Sequence, residues 1–275
     1  MTDWSASWFE SPCIDLRPSD EFIQNHITGT TSLPWERLHV AMHELPDKHQ
    51  VLQLIGSSDQ LAQAASFLAE KNYEVSRQIV SNSEFWSWAA SKQLTESSCH
   101  TVPLWQANPY LSTEIECIES LTSGRKALDL ACGAGRDAVF LASRGWDVTA
   151  LDIKEDALNR CQSLATSSNT TITPIIGDVE SSPEILGKDN YDLIVVMRYL
   201  HRPLLPKLAD MLNPGGLICY STFMVGCEKF GSPRNPNFLL EPGELKQVYS
   251  DLTCHIDEVH PLPDGRPVGR FLAQR

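Results

Sequence analysis

Three aspartates stand at or just beyond the ends of three apolar runs in the middle of this chain: Asp129 in "ALDLACGAGRDA", Asp152 in "VTALDI" and Asp178 in "TITPIIGD". Short, near-continuous apolar runs of this kind read as strands buried on both faces of a parallel sheet. Carboxylates at the carboxyl ends of neighbouring parallel strands face the crevice where open α/β sheets bind ligands. Between the first two lies a turn with Gly133 and Gly135 after Ala131, residues small enough for backbone to approach a ligand closely. Turn and acid together fit the loose dinucleotide pattern GxGxxA with a later acid. Asp129, four residues before Gly133, argues for a different ligand. A carboxylate there repels a pyrophosphate and favours a molecule carrying ammonium and sulfonium charge. At the third tip, Asp178 suits an adenine amino group.

Positioning these acids requires strands that alternate with helices. Strands are expected over 126–131, 147–152, 172–176, 191–197 and 216–222, with helices over 113–122, 135–144, 154–165, 203–212 and 241–249. Such alternation implies a parallel sheet covered on both faces. Two closing strands, 253–260 and 267–274, are joined by the turn "LPDGRP" and must be antiparallel. A separate, shorter alternating series occupies residues 13–95, with "CIDL" and "QVLQLI" as strands and "SDQLAQAASFLAEKNY" as a strong helix. "SSCHTVPLWQANPYLS", rich in Ser, Pro and Asn, reads as a linker. The expected organisation is an α/β chain of two domains, 1–95 and 113–275, with 96–112 between them.

The motifs "LDLACGAGRDAVFLA", "VTALDI", "GDVE" and "YDLIVVMRYLHR", in this order, resemble class I S-adenosylmethionine-dependent methyltransferases, most closely the small tellurite-resistance type. The similarity spans roughly residues 103–275 and implies a Rossmann-like sheet with a C-terminal antiparallel hairpin. The family's D/E-x-G-x-G-x-G has Ala131 in place of its first glycine. Residue by residue, the resemblance implies that Asp129 meets the methionine ammonium and that Ala131, Gly133 and Gly135 form the close turn. It implies that Asp152 accepts the ribose hydroxyls, Ile153 packs on the adenine, and Asp178 and Val179 hold the adenine edge. Met197, with Arg198, closes the site beneath the methionine.

Methyl transfer from a sulfonium asks mainly for in-line placement of a nucleophile in a dry pocket. A thiolate or reduced chalcogen needs no base, whereas an amine or hydroxyl often does. The acceptor belongs at the end of the fourth strand, where "MRYLHRP" places Arg198, Tyr199 and His201 as candidate catalytic residues, with Arg202 beside them. Lys229 and Arg234 follow in the insertion "KFGSPRNPNFLL", giving five basic residues against two acids between 198 and 234. In so acidic a chain this reversal of sign suits a small anionic acceptor, of tellurite, thiol or carboxylate type. Trp105 and Tyr110 are candidates for a lid or for an apolar anchor.

In the first domain, "CIDLRPSDEFIQNHITG" resembles the opening of rhodanese-like domains, through Asp15, Arg17, Glu21, Phe22, His26, Ile27 and Gly29. Rhodanese chemistry requires a cysteine in a nest of backbone N–H groups. The corresponding position falls near Ile55, and "LQLIGSSDQL" contains neither cysteine nor arginine. The domain is therefore expected to be non-catalytic: a docking or dimerisation module, or a cover for the second domain's pocket.

Composition narrows the remaining possibilities. A net charge of -13 disfavours nucleic acid as the main partner. No apolar run approaches the length of a membrane span. Eight cysteines without a CxxC spacing point to a reduced, cytoplasmic protein with no metal; His39 and His43, four apart, lack a third ligand nearby. Two alternatives remain: a non-catalytic module that only binds cofactor and protein, and an NAD-linked oxidoreductase.

Overall fold

A computed structural model describes residues 4, 5, 9, 11–187 and 190–275; the other N-terminal residues of the expected first domain lie outside it. The chain divides into two compact units, Met1–Gln106 and Ala107–Arg275.

In the first unit, β1 (Cys13–Asp15), α1 (Ser19–Gln24), β2 (His26–Ile27), β3 (Thr31–Ser32), α2 (Trp35–Leu38), β4 (Leu52–Gly56), α3 (Ser58–Glu70), β5 (Val75–Val80), α4 (Ser83–Ser91) and β6 (Thr95–Glu96) follow in order. Four strands form a parallel sheet in the order β3-β1-β4-β5, and β2 pairs antiparallel with β6. Leu61, Ala64 and Leu68, spaced at helical period, seal α3 against the sheet. The segment read as a linker divides between the units instead of standing apart from both. Glu96 belongs to β6, Ser32 N–H donates to Thr101 Oγ1 at 2.8 Å, and Leu104 packs on the first unit's core.

The motif residues near the chain start carry structure. Arg17 Nε and Nη2 donate to Asp15 Oδ1 and Oδ2 at 3.0 and 2.6 Å, and Nη2 also donates to the Asn25 carbonyl at 2.7 Å. The guanidinium lies 4.3 Å from the Trp86 ring centroid. His26 stacks on Phe22 and reaches the Phe22 carbonyl and Glu96 at 2.8 and 3.1 Å. The chain thus folds its first turn around a buried ion pair.

In the second unit the order is α5 (Pro109–Leu121), β7 (Lys126–Leu130), α6 (Arg136–Ser143), β8 (Asp147–Asp152), α7 (Glu155–Ser167), β9 (Thr173–Ile176), β10 (Tyr191–Met197), α8 (Leu205–Asp210), β11 (Leu212–Phe223), α9 (Glu244–Val248), β12 (Thr253–Pro261) and β13 (Pro267–Gln274). The sheet runs β12-β13-β11-β10-β7-β8-β9. Strands β7 to β11 are mutually parallel and β13 is antiparallel to both its neighbours. Chain order reverses direction at β7, between β8 and β10, which opens a crevice at their carboxyl ends. Alternation assigns Leu128, Leu130, Ile194 and Val196 to one face, with Leu205 and Leu245. Ala127, Ala150, Leu193 and Val195 face the other side, with Ala138, Leu141 and Cys161 of α6 and α7.

Boundaries shift where local chemistry overrides periodicity. Helix α5 starts four residues before the expected 113, because Asn108 accepts the Tyr110 N–H at 3.0 Å and Pro109 suits a first helical turn. The expected helix 203–212 opens as a 3-10 turn over Arg202–Leu204, and β11 begins already at Leu212.

Because Arg17 neutralises a fully buried carboxylate, Arg17→Ala should cost about 3 kcal/mol, the usual loss on breaking a buried pair. Calorimetry should show it as a lowered unfolding midpoint for the first unit.

Candidate active site

The crevice is built by the turn after β7. Ala131, Gly133 and Gly135 all adopt left-handed backbone, with φ of +57°, +56° and +77°. For Ala131 this costs roughly 1–2 kcal/mol, so alanine holds a glycine's conformation under strain. Added bulk has opposite consequences at the two glycines. A Cβ on Gly133 would meet nothing within 4 Å, whereas one on Gly135 would collide with Cys161 Sγ and lie 3.1 Å from its Cα. Gly135 serves helix packing; Gly133 leaves open space beside the turn.

Asp152 gathers the strand tips. Its Oδ2 accepts the Gly133 N–H at 2.9 Å, its Oδ1 accepts the Lys154 N–H at 2.9 Å, and its carbonyl accepts the Gly177 N–H at 3.1 Å. The Leu151 carbonyl holds the Cys132 N–H at 3.0 Å. A carboxylate offers about four lone-pair positions, so Asp152 retains acceptor capacity for a diol. Ile153 beside it is 58% exposed, an apolar side chain presented to solvent at the crevice.

Asp129 is buried between Val195 and Ala150 on the neighbouring strands. The Ala138 N–H donates to its carboxylate, but Oδ2 has no partner among the described residues. Burial, then the nearby charge of Asp137, pushes its carboxyl well above the usual range. Asp137, in the first turn of α6, accepts the Asn108 N–H at 2.6 Å and is itself raised by burial, against the lowering effects of Asn108, Arg136 and Arg198. Two carboxyls in an apolar face, one with an orphaned oxygen, constitute a deficit of positive charge. A ligand carrying positive charge would offset that burden, and the space beside Gly133 is open. Sequence reading missed Asp137, since an acid in a first helical turn ordinarily serves the helix dipole.

Asp178 forms an Asx turn, its Oδ1 accepting the Glu180 N–H at 2.9 Å and its Oδ2 the Ser181 hydroxyl at 2.8 Å. Those bonds, Ser181 first, hold its carboxyl below the usual range. Val179 is buried and Met197 half-buried. Arg198, also left-handed at φ +59°, donates its N–H to the Ser221 carbonyl at 2.7 Å. Its exposed guanidinium lies 5.9 Å from the Phe223 ring centroid and makes no ion pair among the described residues. Tyr199 donates its hydroxyl to Glu180 Oε1 at 3.1 Å, and His201 Nδ1 lies 3.5 Å from Glu180 Oε2. Burial and then Glu180 push the Tyr199 hydroxyl up.

Two sequence readings need correction. Arg202 is an anchor, donating to Glu244 at 2.6 and 2.9 Å and to the Asn237 and Leu239 carbonyls, so its charge is spent on the 236–244 loop. Tyr110 is no lid: it is buried in the core beneath the sheet, under Arg270. The Cys132 thiol is pushed up by a hydrogen bond shared with Cys161 and then by burial.

Residues 127–216 match the family model described as "Methyltransferase domain". Over 61% of this chain and 82% of the relative, the sequence is 31% identical to the ubiquinone biosynthesis O-methyltransferase of Vibrio parahaemolyticus. It is 30% identical to the probable S-adenosyl-L-methionine-dependent methyltransferase TehB of Haemophilus influenzae, over 46% of this chain and only 45% of TehB. An uncharacterised protein of Schizosaccharomyces pombe is 23% identical along 97% of this chain and 94% of its own length. The crystal structure of H. influenzae TehB has the same fold, with a TM-score of 0.50 at 23% identity over 60% of this chain and 62% of that one.

Gly135→Ala should destabilise by about 3 kcal/mol, combining overpacking with a left-handed φ, and lower the melting temperature. Gly133→Ala should cost only about 1–2 kcal/mol of strain yet weaken S-adenosylhomocysteine binding at least about tenfold in calorimetry. Because burial raises the Asp129 carboxyl and a nearby cation favours its ionised form, S-adenosylmethionine binding should lower that carboxyl's pKa, release protons in the range where it titrates, and tighten as pH rises through that range. Titrations in buffers of different ionisation enthalpy measure the release. Fold, strand-tip acids and relatives agree: the chain belongs to the S-adenosylmethionine-dependent methyltransferases.

Proposed function

We propose that this methyltransferase acts on a small anionic acceptor, of carboxylate, thiol or oxyanion type, drawn in by Arg198. The observation that carries the reading is an arginine in strained left-handed backbone at the tip of β10, supported by an aromatic ring and without a carboxylate partner among the described residues. Strain of this kind, roughly 1–3 kcal/mol, gathers at functional sites. The cofactor supplies an electrophilic methyl group on its sulfonium. Around it, Asp129 meets the ammonium, the Ala131–Gly135 turn gives close approach, and Asp152 binds the ribose hydroxyls. Ile153, Asp178 and Val179 hold the adenine, and Met197 floors the methionine. Arg198, Tyr199 and His201 face the acceptor.

The first unit is best read as a rhodanese-like module without sulfur transfer, used for protein docking or homodimerisation. Its strand-to-helix junction supports this. Ile55 is buried within β4, and Ser57 and Gln60 cap each other's backbone N–H groups in a reciprocal box. Those two donors are spent. The nearest candidate in sequence, Cys13, is buried on β1, and burial, then Asp15, pushes its thiol up. A cytoplasmic setting, with neither nucleic acid nor membrane as partner, fits the charge and the free cysteines.

A methyl-transfer screen over oxyanions, thiols and carboxylic acids tests the reading. Arg198→Ala should raise KM for the acceptor about 10- to 100-fold, the worth of a charged hydrogen bond, while S-adenosylhomocysteine binding is kept. Asp152→Ala should instead lose cofactor affinity by a similar factor, measured by calorimetry. Equal loss of both affinities in Arg198→Ala would remove the acceptor role.

A further inference from the structure

We infer that Glu180 makes His201 a general base, so that the preferred acceptor atom is a hydroxyl oxygen rather than a thiolate or chalcogen. This rests on the reading that Arg198, Tyr199 and His201 face the acceptor. Glu180 leaves the β9 end of the sheet and meets two side chains from the segment after β10. Its Oε1 accepts the Tyr199 hydroxyl at 3.1 Å while Oε2 faces His201 Nδ1 at 3.5 Å. Glu180 and Tyr199 are themselves held. The Asp178 turn fixes the Glu180 N–H at 2.9 Å, and the Tyr220 hydroxyl donates to the Tyr199 carbonyl at 2.7 Å.

A carboxylate beside Nδ1 favours placing the ring proton there and leaves Nε2 free to accept one; at 3.5 Å the contact is longer than a hydrogen bond and would have to shorten in the loaded site. His201 Nε2 has no partner among the described residues, and the side chain is 25% exposed. An acceptor that ionises by itself has no use for this arrangement; a hydroxyl does. As the oxygen–carbon bond forms and the sulfonium's carbon–sulfur bond breaks, the hydroxyl proton passes to His201 Nε2, leaving a methyl ether and a neutral thioether. Glu180 acts through His201 and is a positioning residue.

Salicylate and thiosalicylate, which share a carboxylate and differ only in hydroxyl against thiol, separate the roles. Wild type should methylate both. Glu180→Gln should lower kcat about 100-fold on salicylate and leave kcat on thiosalicylate and the Kd for S-adenosylhomocysteine within twofold. His201→Gln should repeat the pattern, and Glu180→Asp should restore part of the salicylate rate. Equal loss on both probes, turnover of thiosalicylate alone by the wild type, or turnover of neither would overturn the inference. Failure of the underlying reading looks different: Arg198→Ala would then leave KM unchanged for both probes while the hydroxyl-selective loss in Glu180→Gln persisted.

Discussion

The second unit is organised around a carboxyl group shut off from water and, among the described residues, without an ion-pair partner. Asp129 shares its face of the sheet with Ala127, Ala150 and Val195, and one of its oxygens lacks a partner among the described residues. An orphaned buried acceptor costs about 1–3 kcal/mol, more when charged. The neighbouring Asp137 adds to that cost rather than relieving it. Such a pair favours a positively charged ligand over an anionic one such as a pyrophosphate. Ligand binding and folding stability are therefore linked through one titrating group.

Around that deficit, backbone strain and backbone hydrogen bonds divide the labour. Ala131 and Arg198 end adjacent strands, β7 and β10, in the same left-handed conformation. Asp152 ties the intervening turn to β8 and, through its carbonyl, to the exit from β9. At the crevice, left-handed non-glycine backbone thus stands at two strand tips, Ala131 and Arg198, where the surrounding hydrogen bonds hold the geometry. The acids are consequently not interchangeable: Asp129 is buried and raised, Asp152 is a partly satisfied hub, and Asp178 is a half-buried turn former held low.

The first unit follows another logic. Asp15, Arg17, Phe22 and His26, which in the sequence stand out as a motif, are joined to one another or to local backbone by an ion pair, hydrogen bonds and ring stacking. They fold the unit. The helix that follows β4 opens on a self-satisfied cap.

How much was readable in advance follows from what is local. Strands β7, β8, β10 and β13, the antiparallel closing hairpin and the acids at the strand tips rest on period, turn residues and chain order, all of which the sequence carries by itself. Helix starts at Pro109 and Leu205 shifted because caps and 3-10 turns respond to a few side chains rather than to period. What only the tertiary structure decided was which charges are spent and which are spare. Arg198 and Arg202 are indistinguishable in sequence, yet one ends unpaired at a strand tip and the other is consumed by Glu244 and two carbonyls. Asp137 and Glu180 gain their meaning from groups 29 and 19 residues away along the chain. Partnership between charges depends on distance in space and on exclusion of water, and neither is a property of chain order.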